Sequence, residues 1–254
     1  MQVVVTMAGL GQRFKDQGYD IPKPFIKVGD KFAFQHLTET FPKNWKVYFV
    51  INKDLDSSYQ KIIRDTYPDS CLVETNYSDR GPFDTVKAAL PALNSHGPII
   101  ITYCDYSLLW NPEHFQKKVQ EINPDAAVVG IRGFHVTYSG PNTYCHYQVK
   151  DQFITQLQEK KMYSASIYEE WTSCGMYYFR NKNLLNESLQ EQLIQNLNFQ
   201  GKEYYISLSL QAMLNKKTEF KILNYPVDYM IQLGTPFDIQ TYEYWRKIFQ
   251  SDSF

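Results

Sequence analysis

Apolar, β-branched runs alternate along the first half of the chain with stretches whose apolar residues recur at helical spacing. Val3–Thr6 reads as a buried strand that runs into a glycine-containing loop, residues 8–24. Helical spacing over 33–42 stops at Pro42, KVYFVIN (46–52) reads as a second buried strand, and SSYQKIIRDTY (57–67) as a helix with a serine start. SCLVET (70–75) predicts a third strand and PFDTVKAALPAL (82–93) a helix opening after Gly81. PIIITYCDY (98–106) is the most apolar of the strands and carries Asp105 at its C-terminal end. A helix over 112–122 and a strand over 126–131 complete this stretch. The rhythm then changes. Residues 143–180 alternate polar and apolar, as antiparallel strands do, and helices are expected over 183–196 and 203–214. FKILNY and VDYMIQL read as late strands, and a helix from about 236 to 248 closes the pattern.

Regular strand–helix alternation up to residue 131 argues for an α/β fold, three layers (α/β/α) around a mostly parallel mixed sheet. The later region reads as an inserted antiparallel lobe. Without a linker, repeat or low-complexity tract, the chain reads as one domain over 1–254, with about 1–131 as one half and about 132–254 as the other. In open parallel sheets ligands bind beyond the carboxyl ends of the strands. The loop after the first strand and Asp105 both occupy such ends and are expected to face one another.

Composition narrows the class. The 254 residues hold 26 Lys+Arg against 27 Asp+Glu with no long basic run, which argues against nucleic acid or an anionic membrane as partner. The 20 Tyr and 16 Phe suit a sugar- or base-binding surface and equally an ordinary core. Cys71, Cys104, Cys145 and Cys174 are widely spaced, so they read as reduced thiols rather than a zinc site or disulfide framework. The N-terminal apolar run has no positive leader, and no segment reaches the roughly 20 apolar residues of a membrane helix. The expected location is cytoplasmic.

The stretch VVVTMAGLGQRFKDQGYDIPKPFIKVG (3–29), which holds that loop, carries the candidate chemistry. Gly9 and Gly11 let backbone N–H groups approach phosphate oxygens. Arg13 can fork onto phosphate, and Lys23, framed by Pro22 and Pro24, adds a point charge on restricted backbone. A dinucleotide fingerprint would need a glycine where Phe14 stands and an acid where Asn52 stands, and a Walker loop would need Gly-Lys-Ser/Thr. Both are excluded. Asp105 is placed to hold Mg²⁺ against phosphate oxygens, or alternatively to cap the following loop.

With these residues in view, the chain resembles the sugar-phosphate nucleotidyltransferases (NDP-sugar pyrophosphorylases), whose fold is Rossmann-like and GT-A-like. MAGLGQRF followed by PKP is similar to that family's opening signature, CDY to its metal aspartate, and QEKK to its E-K-P segment. SCGMYYF, KEYYISLSLQAM and LGTPFD follow in the family's order. The resemblance implies that Ala8, Gly9, Leu10 and Gly11 bind the NTP, with Gly81 and Thr85 in the base-reading region, and that Arg13 and Lys23 are catalytic. It implies Mg²⁺ on Asp105, and an acceptor phosphate site built from Glu159, Lys160, Gly175 and Glu203. The reaction implied is attack of an acceptor phosphate on the α-phosphorus of an NTP with loss of pyrophosphate, in nucleotide-sugar synthesis for surface or capsule polysaccharide.

Two departures from the family pattern stand out, with one candidate replacement. Gln232 replaces an acid that many members use as a second metal ligand, Asp228 is an alternative second ligand, and Lys161 replaces the proline of E-K-P. Asp238 reads as the N3 acid of a helix start capped by Thr235. His135 and His146 read as structural. Two rival readings stay open: a GT-A glycosyltransferase, although Cys-Asp-Tyr is not its D-x-D motif, and a non-catalytic nucleotide-binding module. Base, acceptor and oligomeric state are left unspecified.

Overall fold

The structure is a computed structural model and is described for residues 1–135, 142–216 and 219–250. Strand β1 (Gln2–Met7) is buried along its whole length, and the single-turn helix α1 (Gln12–Lys15) follows the glycine loop. A small hairpin, β2 (Lys27–Val28) and β3 (Lys31–Phe32), leads to the short helix α2 (Gln35–Thr38). Then come β4 (Lys46–Asn52), α3 (Ser57–Thr66), β5 (Cys71–Thr75) and α4 (Pro82–Ala89). Strands β6 (Ile99–Tyr103) and β7 (Tyr106–Leu109), helix α5 (Pro112–Ile122) and strand β8 (Ala126–Ile131) complete the alternating region. The remainder comprises β9 (Cys145–Lys150), β10 (Phe153–Glu159), β11 (Trp171–Phe179), α6 (Lys182–Ile194), α7 (Ile206–Asn215), β12 (Ile222–Pro226), β13 (Tyr229–Gln232) and α8 (Pro236–Gln250).

One nine-stranded sheet takes the order β5-β4-β1-β6-β11-β8-β12-β10-β9. Strands β5, β4, β1 and β6 are parallel, as the alternation requires. The antiparallel region joins this sheet directly: β11 lies antiparallel between β6 and β8, and β12 runs parallel to β8. Strand β9 also pairs with the start of β11, so β11, β8, β12, β10 and β9 close a ring. Period-two alternation divides the core between the two faces of the sheet. Val3 and Val5 pack with Phe34, Phe49, Ile100 and Phe115 on one face, and Val4 with Phe83, Ile101, Leu185 and Ile206 on the other. A third cluster, Phe14, Ile26, Val28, Ala33, Leu233 and Ile239, anchors the glycine loop and the start of α8. Burying such a Phe, Leu or Ile side chain is worth about 1.5–3 kcal/mol.

Three elements differ from the pattern-based expectation. The helix expected over 33–42 is only α2, because hydroxyls compete for its carbonyls: Thr38 Oγ1 donates to Phe34 O and Thr40 Oγ1 to Leu37 O. The strand expected over 98–106 ends at Tyr103, bends at Cys104–Asp105 and resumes as β7 in a separate two-stranded sheet with β13. The helix expected from 203 starts at Ile206, since Phe199 and Glu203 pair through both backbone N–H groups.

Candidate active site

The loop after β1 builds the first wall. Ala8 is buried, while Gly9 and Leu10 are exposed. Gly11 has φ 66 and starts α1, and a Cβ there would sit 3.1 Å from Lys23 Cβ, so glycine is what lets the loop pack on the Pro-Lys-Pro segment. Lys23 opens a 3₁₀ turn (Lys23–Phe25) that the buried Phe25 ring pins to the core. Its Nζ lies 2.5 Å from Asp105 Oδ2. Loop and strand-end aspartate therefore meet, as expected. Burial pulls the Lys23 ammonium down, but the charge and hydrogen bond of Asp105 carry its pKa above the ordinary lysine value. Arg13 is exposed and near enough to Lys23 to act on it electrostatically.

Asp105 sits in the bend between β6 and β7, clamped by the neighbouring hairpin: Leu233 N donates to Asp105 O at 2.8 Å. A Cβ on Gly234 would lie 2.7 Å from Asp105 Oδ2 and 2.9 Å from Gln232 Nε2, so the carboxylate and the Gln232 amide meet over that glycine. Asp228 does not join them. The register pairs Gln232 with Tyr106 and Tyr229 with Leu109, which puts Asp228 about 13 Å from the Gln232 end of the hairpin, exposed. Asp238 completes the helix-start device: its N–H donates to Thr235 Oγ1 (3.2 Å), and that hydroxyl donates to Asp238 Oδ2 (2.6 Å). Burial chiefly, and then the Asp105 charge, hold its pKa above the ordinary carboxylate value.

The opposite wall comes from β10, the residues before α7, and β11. Glu159 ends β10 and accepts a hydrogen bond from Ser207 Oγ at 2.6 Å; burial pushes its carboxyl up to about 7. Lys160 follows with φ 55, and its Nζ donates to Tyr205 OH (2.6 Å), lies 3.6 Å from Glu203 and sits 4.4 and 4.6 Å over the Phe199 and Tyr205 rings. Tyr205 in turn donates to Glu203 Oε2 at 2.7 Å. Burial and Glu203 raise the Tyr205 pKa, and Arg13 is near enough to oppose them, so the two walls lie within electrostatic reach. Lys161 points to solvent.

Two expected contacts are altered. Gly175, at φ 83 in a bulge of β11, does not face open space: a Cβ there would lie 2.6 Å from Tyr103 Cδ2, so the Tyr103 ring covers it. Gly81 caps α4, but its N–H is taken by Ser78 O, and Thr85 Oγ1 donates to Gly81 O at 3.3 Å, so both donors are used within the turn. That turn reaches the other wall, since Tyr204 N donates to Arg80 O at 3.1 Å. His135 and His146 are buried against protein partners and pushed down by burial. Tyr103, Phe199, Tyr205 and Ser207 enter the site without having been singled out from sequence. The available signals were the KEYYISLSLQAM segment, which holds Tyr205 and Ser207, and Tyr103 as an aromatic phenol ending an apolar strand two residues before Asp105.

Among the described residues no group of three or more His, Cys, Asp and Glu side chains could hold a metal ion alone. The donor set nevertheless suits Mg²⁺, which is commonly bound through one or two carboxylates together with substrate phosphates. Asp105 already holds a cation, the Lys23 ammonium, at one oxygen. No helix among the described residues is long and apolar enough to cross a membrane.

No curated protein matches this sequence. Structural similarity is extensive. A nucleoside-diphosphate-sugar pyrophosphorylase from Vibrio cholerae RC9 superposes with a TM-score of 0.78 at 19% identity, covering 96% of this chain and all (100%) of that one. The inositol-1-phosphate CTP transferase from T. maritima gives 0.74 at 14% identity, covering 100% and 98%. A UDP-glucose pyrophosphorylase complexed with UDP-glucose gives 0.73 at 13%, covering 97% and 98%. At these identities the likeness establishes the α/β fold with its central mixed sheet. The sequence itself matches the model of the MobA-like NTP transferase domain over residues 3–169, from the glycine loop through Asp105 to Lys160, and to that enzyme family this chain belongs.

Proposed function

We propose that the protein is a nucleotidyltransferase that couples an NTP to a sugar phosphate or similar small phosphorylated metabolite and releases pyrophosphate. The observation that carries this reading is the meeting of Lys23 with Asp105 on one wall and of Lys160 with Glu203 and Tyr205 on the other, with Arg13 in reach of both. The sugar-phosphate substrate class is supported by the neighbours named for UDP-glucose and inositol-1-phosphate. About 1–131 acts as the nucleotide half and about 132–254 as the acceptor half. The enzyme would work in the cytoplasm, supplying an activated sugar for surface or capsule polysaccharide.

Nucleophile and electrophile are both anionic, so positioned cations matter more than a protein nucleophile. The loop Ala8-Gly9-Leu10-Gly11 receives the triphosphate. Lys160 leaves Tyr205 and Glu203 to hold the acceptor phosphate, while Glu159 accepts from acceptor hydroxyls. An acceptor phosphate oxygen then bonds to the α-phosphorus as the bond from that phosphorus to the α–β bridging oxygen breaks, and the electron pair leaves with pyrophosphate. Arg13 and Lys23 offset the charge that gathers on the leaving group. Asp105 would hold Mg²⁺, which neutralises phosphate charge. Gln232 beside Asp105 leaves fewer acids there than many relatives have, which keeps a second reading, nucleotide binding without turnover. A screen of the four NTPs against a panel of sugar and polyol phosphates, reading pyrophosphate release, separates the two. NTP binding without release under any pairing would overturn the enzymatic reading.

A further inference from the structure

Tyr103 ends β6 and stands two residues before Asp105, between the two walls of the site. Its ring lies against Gly175 and meets the Tyr177 ring edge-on, centroids 6.4 Å apart. The residue is partly exposed, yet its hydroxyl is fully buried and has no hydrogen-bond partner. The Glu159 carboxyl and the Tyr205 phenol lie close to it, and a phenol at neutral pH keeps its proton and can donate. A buried hydroxyl left unpaired loses its water hydrogen bonds without compensation and so destabilises the fold. Phenylalanine would fill the same space over Gly175 without that cost. Tyrosine gains over phenylalanine here only if a ligand group meets the hydroxyl.

Resting on the acceptor site described above, we propose that Tyr103 selects the acceptor. Its ring fills the space over Gly175 and limits how deeply the acceptor's carbon skeleton can sit. Its hydroxyl donates to a hydroxyl oxygen of a compact, hydroxylated phosphate ester. Lys160 is the element that opens the approach: it is held by Tyr205 and Glu203, and engaging the acceptor phosphate draws it off the Tyr205 side, where the Tyr103 hydroxyl lies.

Tyr103→Phe and Tyr103→Ala test this in the full chain. Tyr103→Phe should melt at or above the wild-type temperature, because an unpaired hydroxyl is removed. It should also lose about tenfold or more in kcat/KM for the acceptor, chiefly through KM, the loss expected for one hydrogen bond that leaves its partner group unmet. NTP affinity, titrated with Mg²⁺ and no acceptor, should stay within about twofold by the same reasoning. Tyr103→Ala should accept bulkier phosphates that the wild type refuses. Wild-type kcat/KM in Tyr103→Phe, or a melting point several degrees lower, overturns the assignment while leaving the nucleotidyltransferase reading intact. Failure of the wild type to bind or turn over any acceptor, with binding read by saturation-transfer NMR, overturns both.

Discussion

Replacing Lys23 by Met keeps the alkyl stem and removes the ammonium from a 2.5 Å ion pair whose side chains are 24% and 15% exposed. The Asp105 carboxylate is then left without its countercharge in a largely dry setting. Losing one charge-assisted hydrogen bond there costs about 1.5–3 kcal/mol. In a chain of 254 residues each kcal/mol moves the melting midpoint by about 2–4 °C, so Lys23→Met should lower Tm by about 3–12 °C. The double variant Lys23→Met/Asp105→Asn carries no orphaned charge, and its cost should fall short of the two single costs summed by at least about 1 kcal/mol. Urea unfolding of the four proteins without nucleotide closes this cycle. Millimolar Mg²⁺ should restore part of the Lys23→Met loss, since Asp105 then regains a cation. The pKa of Lys23 is raised in the folded state. Its stabilisation is therefore full below the unfolded value of about 10.4 and lost only as pH climbs through the higher folded value, so the effect should be constant between roughly pH 6 and 9. Additive single costs, or a slope in that window, would refute the coupling.

Three further expectations follow from the two walls. Arg13→Ala should lower kcat by about tenfold or more, with poor rescue by Arg13→Lys because the planar fork is gone; a rise in NTP KM alone would make Arg13 a simple binding residue. Lys160→Ala should impair acceptor use strongly while calorimetric NTP affinity stays within a few fold of wild type, and loss of NTP binding would move Lys160 to the nucleotide side. Glu159, raised from 4.5 to about 7, keeps in the folded state a proton that the unfolded chain has released, so stability should fall as pH rises from about 4.5 to about 7 and level off above. Glu159→Gln should flatten that slope in a pH series of urea midpoints, and an unchanged slope would place its origin elsewhere.

Elements whose cues are local were legible in the sequence. Helix α5 runs over the expected 112–122, since Asn111 caps His114 N and Pro112 takes the first turn. Strand β8 is likewise a plain apolar run over 126–131. Apolarity alone cannot say which sheet a strand joins, however, so the run through Asp105 gave no sign that its second part pairs with β13, far along the chain. Gly175 was readable as a point of close approach, but the approaching group, the Tyr103 ring, is set by tertiary packing. The aromatic seat of Lys160 is similar: Phe199 and Tyr205 come from a segment forty residues on in round terms, and nothing local links them to QEKK.

The position of β11 also bears on how the chain reaches its native state. Strand β6 belongs to the first 131 residues, yet its second edge is covered only by residues 176–179, and the same segment covers β8. Until β11 has been synthesised, the nascent chain carries the unpaired edges of two of its most apolar strands, the kind of surface that templates pairing between chains. Closure of the sheet depends on a contact distant in sequence, which slows folding by the loop entropy spent before the contact forms. The strand that seats Gly175 against the Tyr103 ring is thus also the last staple of the sheet begun by residues 1–131, and a cell making this protein would need to shield β6 and β8 for as long as β11 is still inside the ribosome.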